Sequence, residues 1–165
     1  MEEKKSHLKL TLLLIIAALV IGLIVMYIFI FFVPNRSNTI QEVMLSRWNI
    51  TMPEDMELEY SVSTFGFPSD GEEYRVFKLK EEPTELIEDF NHEKSKDAEN
   101  GAQYIFEWLA KGEKSVPEEW RPDWSEEYSW KYTGKFPRDD GTFKDFIYIV
   151  YFPVAMRLYT FEQML

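Results

Sequence analysis

Two histidines, His7 and His92, are the whole imidazole complement of this chain, and it has no cysteine. Thiolate nucleophiles, thiolate metal ligands, a disulfide framework and a cysteine-linked lipid anchor are therefore excluded. His92 sits in sequence among Glu88, Asp89, Glu93 and Asp97. Oxygen and imidazole donors of this kind suit a divalent cation, but the spacing matches no helical ligand pair, so solvated helix-surface charge is the expected role. No serine stands in a G-x-S-x-G or S-x-x-K setting, and the seven glycines are scattered rather than gathered into a phosphate loop.

Carboxylates recur in pairs at Glu72-Glu73, Glu81-Glu82, Glu118-Glu119 and Asp139-Asp140. A glycosidase needs two acids facing each other across a sugar, one held protonated by burial. Adjacent acids at strand ends and turns are ordinarily solvated, which points away from that chemistry. Asp139-Asp140-Gly141 with Asp145 lacks the alternating acids and distal glutamate of a calcium loop, and a hairpin turn is the expected reading. The sequence thus predicts no enzyme, no cofactor and no metal.

The most suggestive cluster is aromatic: Trp108, Trp120, Trp124, Tyr128, Trp130 and Tyr132. Trp120-Arg121-Pro122-Asp123-Trp124 falls in a loop. Exposed rings there could anchor a protein partner or stack on sugars, making Trp120, Trp124, Trp130 and Tyr128 the partner-binding candidates. The competing reading folds the loop back so that the rings cap the core.

Those residues need a scaffold and a location. Leu10 to Val33 is a 24-residue run without a charge, about 36 Å long as a helix against a hydrocarbon core of about 30 Å. It ends in Phe31-Phe32-Val33-Pro34, with no small residue for a signal peptidase, so an uncleaved signal-anchor is expected. Lys4, Lys5 and Lys9 precede it and only Arg36 follows closely. This bias places the N-terminus in the cytoplasm and the C-terminal part outside the cell membrane. The predicted organisation is a cytoplasmic flank (1–9), a single transmembrane helix (10–33), a connector (34–38) and an extracytoplasmic domain (39–165).

The formal charge is −11, and the five charged residues of the flank sum to +1, leaving −12 on the rest. Such a surface repels nucleic acid and favours basic partners. Aromatic content of 16% is too high for a disordered acidic tail.

Thr39 and Glu42 have capping-box spacing ahead of a helix with Ile40, Val43, Met44 and Trp48 on one face. Met56, Leu58, Tyr60 and Val62 alternate with acids and serines, and Tyr74 to Leu79 resumes after the turn-rich Gly66–Gly71, which reads as a hairpin. Pro83 opens a short helix. Ala98, Ala102, Ile105, Phe106 and Leu109 give a longer one, capped by Gly112 and burdened by Gly101. Tyr128–Phe136 and Phe146–Phe152 read as strands, the second covered on both faces. Met156–Phe161 reads as a last, edge strand. The expected class is α+β, with helices packed on an antiparallel sheet.

Arg47-Trp48-Asn49-Ile50 followed by Pro53, the stretch from Gly66 to Gly71 leading to Tyr74-Arg75-Val76-Phe77, and Tyr151-Phe152-Pro153 followed by Leu158-Tyr159 together carry a likeness. Across residues 40–162 the chain resembles small single-pass membrane-anchored proteins of unknown function from Gram-positive bacteria of the bacillus and clostridium type. The resemblance implies a bacterial cell membrane with the domain facing the wall, and transfers no active site. The expected function is a non-enzymatic protein-binding or regulatory module tethered to the membrane, with no small-molecule substrate. An immunity or inhibitor protein against a basic secreted toxin or wall hydrolase is the alternative, and a carboxylate-dependent wall hydrolase a further one.

Overall fold

The computed structural model describes residues 19–22, 39–66, 70–137, 139, 141 and 143–165. Residues 19–22 are helical; the rest of the expected span from Leu10 to Val33 lies outside the described residues. Among the described residues no helix is long and apolar enough to cross a membrane. Residues Thr39–Leu165 form a compact unit of their own.

That unit begins with α1 (Ile40–Trp48), whose N-terminus carries the anticipated capping box. The Thr39 hydroxyl accepts from the Glu42 amide, and the Glu42 carboxylate accepts from the Thr39 amide, so two otherwise orphaned donors are satisfied. Asn49 ends the helix in the left-handed region. Strands β1 (Glu57–Ser63) and β2 (Gly71–Lys78) pair antiparallel. A short α2 (Thr84–Ile87) and the long α3 (Lys96–Lys111) follow. Then come β3 (Ser129–Pro137), β4 (Phe143–Phe152) and β5 (Arg157–Met164).

The α+β class is as the sequence predicts, with one sheet of five antiparallel strands. The place of the last strand is a correction. The order is β1-β2-β5-β4-β3, so β5 is the centre of the sheet rather than an edge. It is wedged between the β1–β2 and β3–β4 hairpins and is buried from Leu158 through Gln163. Glu162 and Gln163 lie within this buried stretch. They are covered because each finds a polar partner inside.

Layers form on both faces. Tyr74, Val76, Val150, Phe152, Tyr159 and Phe161 meet Ala98, Ala102, Ile105 and Leu109 of α3. On the opposite face Phe77, Ile147, Ile149, Tyr151 and Leu158 meet Met44 and Trp48 of α1, with Ile50, Met52, Leu79 and Phe90 closing the layer. Side chains alternate across the pleat, so one strand feeds two cores. Among the described residues, Thr160 Oγ1 is a buried side-chain atom without a hydrogen-bond partner.

Candidate functional site

On the α3 side the helix covers the middle of the sheet and leaves β3 and the start of β4 open. A groove of about 770 Å³ lies there. Its floor and walls are the rings of Trp130, Tyr132, Phe143, Phe146, Tyr148 and, from the helix, Tyr104. The rings interlock: Tyr132 and Tyr148 centroids are 4.7 Å apart, Tyr132 and Phe143 6.0 Å, and Tyr104 and Phe146 6.1 Å. These are spacings at which tilted pairs attract beyond simple burial. Tyr104 and Tyr132 remain more than one-third exposed.

Two glycines make this shape possible. A Cβ on Gly101 would stand 2.4 Å from the Tyr148 ring, and one on Gly134 would stand 2.3 Å from the Phe143 ring. The helix weakness visible at Gly101 in sequence is therefore the space that Tyr148 occupies.

The polar groups at the groove are Asp97 and Asn100 at the start of α3 and the three tyrosine hydroxyls. Among the described residues lining it, Asp97 is the charged one. Burial, then the neighbouring Tyr132 and the Asp97 carboxylate, push the Tyr148 hydroxyl up to about 12. It stays a neutral donor at any physiological pH.

The aromatic candidates divide. Trp120 lies parallel to Tyr60 at 5.5 Å, and its carbonyl accepts from the Tyr74 hydroxyl. Trp124 packs edge-on against Tyr128 and Phe152. Tyr128 is buried and bonds the Ser95 backbone through its hydroxyl. These three fold back onto the α3-side core. Trp130 belongs to the groove, with its indole N–H donating to the Glu93 carbonyl at 3.0 Å. Tyr104, Phe143, Phe146 and Tyr148 join it without having been singled out. The usable signal was the run of aromatic residues at alternate positions, 130 and 132 on β3 against 146 and 148 on β4.

The acid pairs divide too. Glu81, Glu82, Glu118 and Glu119 are exposed as expected, and Asp140 lies outside the described residues. Glu72 and Glu73 are a correction, for both are buried. Thr64 Oγ1 donates to Glu72 at 2.7 Å. Glu73 faces Glu162 across β2 and β5, and Arg75 salt-bridges both. Glu162 is fully buried; it accepts from Arg47 at 2.7 Å and from the Trp48 indole at 2.8 Å. Two glutamates and two arginines thus neutralise one another beneath α1. Burial raises the Glu73 carboxyl above the usual range; Arg75 opposes the rise and Glu162 adds to it.

Another hollow, of about 440 Å³, is ringed by Glu54, Asp55, Glu81, Glu82 and Glu85. All five are exposed. His92 is exposed. Among the described residues no group of three or more His, Asp or Glu side chains is placed to hold a metal ion.

Compared with known protein families, with curated proteins and with solved structures, the chain matches none.

Proposed function

We propose that this protein is a non-enzymatic, membrane-tethered binding module that holds a basic protein partner in the aromatic groove between α3 and the β3–β4 hairpin. One observation carries the reading. Trp48, Phe65, Phe106, Trp108, Trp120 and Tyr128 each have a cationic side chain of the chain itself within 5.7 Å of the ring centroid. Among the described residues no such cation lies over the six groove rings. Electron-rich faces with one carboxylate beside them suit an incoming ammonium or guanidinium. The net charge of −12 outside the flank steers such a partner towards the domain.

The tether is the Leu10–Val33 segment, read as a single cell-membrane crossing with a cytoplasmic N-terminus and residues 39–165 outside. Protease added to intact cells should remove the domain; a protected domain would reverse the orientation.

Affinity capture with the full chain tests the groove. Wild type and Trp120→Ala should retain the same basic protein, with retention falling as salt rises, while the Trp130→Ala/Tyr132→Ala double variant should lose it. Equal retention by the double variant would end this reading. A narrower version makes the partner a secreted toxin or wall hydrolase that the module neutralises, favoured by the acidic charge. Deleting the gene should then sensitise cells to that factor, and unaltered survival would count against it.

A further inference from the structure

The groove runs beside the open edge of β3. The Trp130 amide donates to the Asn91 carbonyl at 2.9 Å, and the Asn91 amide donates to the Trp130 carbonyl at 2.8 Å. At this position β3 therefore turns its backbone groups away from β4 and towards the edge. Backbone direction alternates along a strand, so Tyr132 and Gly134 present their N–H and C=O groups the same way. Among the described residues neither has a backbone partner on that side. Asn91 thus already fills the first position of a sixth strand, and beyond it, as far as Phe136 with its φ of 57°, no described backbone group pairs with this edge.

We propose that the partner binds as an extended basic segment that adds to β3 antiparallel, opposite Tyr132 and Gly134, and lays a lysine or arginine side chain over the Tyr132 ring. Two independent features meet here. Unpaired edge groups form a template for a strand. Directly opposite residues of an antiparallel pair share a face, so the residue facing Tyr132 projects on the groove side. The aromatic walls and Asp97 then select a cation at that position. The far end of α3 displays the same contact within the chain, where the Lys111 ammonium sits 4.1 Å from the Trp108 ring centroid.

This mode of binding rests on the groove reading, and the test separates the two. The full chain in detergent micelles is titrated with a fluorescent peptide of alternating lysine and threonine, at low ionic strength. Two derivatives carry N-methyl groups, one on every lysine amide and the other on every threonine amide; both keep the charge. In an extended strand only one set of amides faces β3. Methylation of the lysine set should weaken binding by about tenfold or more, because directed hydrogen bonds are lost, and methylation of the threonine set should leave affinity unchanged. If the two derivatives bind alike, whether both like the parent or both weakly, while Tyr132→Ala still weakens the parent peptide, strand addition is overturned and the groove stands. If the parent peptide fails to bind wild type, or binds Tyr132→Ala equally well, both readings fall.

Discussion

The two faces of the sheet solve the same burial problem with different chemistry. Under α1, charged groups are taken out of water and paired with one another: Glu162 is fully buried against Arg47, Arg75 and the Trp48 indole. Under α3, matching is apolar and stops short of the sheet's end, so Tyr104 and Tyr132 stay partly exposed beside Trp130 and Tyr148. A buried ion network specifies one arrangement and resists change, because removing one member strands the others. An unfinished aromatic layer leaves a concave surface with ligand-sized volume. One face fixes the fold, and the other leaves the surface proposed for binding.

The largest effect should come from the first face. Glu162→Ala leaves buried Arg75 and half-buried Arg47 without their shared carboxylate, and should cost about 3–5 kcal/mol in urea denaturation. A loss under about 1 kcal/mol would mean that the network is solvated and that the contrast is false. Next, Trp124→Ala should cost about 3 kcal/mol as a core truncation, whereas Trp130→Ala should cost about 1 kcal/mol and act on binding instead. Equal stability losses would merge the two classes of aromatic residue.

Gly101→Ala sets two terms against each other. Alanine favours a helix interior by about 1 kcal/mol over glycine, but its methyl would meet the Tyr148 ring, and such overpacking costs about 1–3 kcal/mol. The expected outcome is net destabilisation with a weakened groove. A gain of about 1 kcal/mol would place Tyr148 elsewhere. The smallest effect is Thr160→Val, which removes a buried hydroxyl that has no partner among the described residues and should stabilise by about 1 kcal/mol.

pH offers a further cut between the faces. The Glu73 carboxyl is raised by burial, so the folded state holds its proton more tightly than the unfolded chain. That contribution is complete below the ordinary value of 4.5 and is lost as pH rises through the raised folded value. Urea midpoints measured upward from about pH 4 should therefore contain a decline that Glu73→Gln abolishes. An identical profile in the variant would show Glu73 to be solvated. On the other face Tyr148, raised from 10.0 to about 12, should withdraw its contribution between those values. Tyr148→Phe should lack that step.

What was legible in the sequence follows the same division. Local signals were plain: the Thr39–Glu42 box, the alternation through Tyr60 and Val62, and the α3 stripe from Ala98 to Leu109 gave elements within a few residues of where they lie. Long-range pairing was not. Nothing local marks β5 as central, because the partners of buried Glu162 are distant in sequence: Arg47, 115 residues away, with Trp48 and Arg75. The groove was half legible. Trp130 and Tyr132 stood out by type, but Phe146 and Tyr148 read as core because a continuous apolar run does not reveal where the covering helix ends. Trp120, Trp124 and Tyr128 stood out for the same reason and fold inward, since ring type alone does not distinguish a cap from a site.

The most direct measurement places a photoreactive benzoylphenylalanine at position 132, on the groove, or at position 45, on α1, in the full chain in cell membranes. The account expects irradiation to join a basic protein to the chain through position 132 and not through position 45. Crosslinking from position 45 alone, or equally from both, would contradict it.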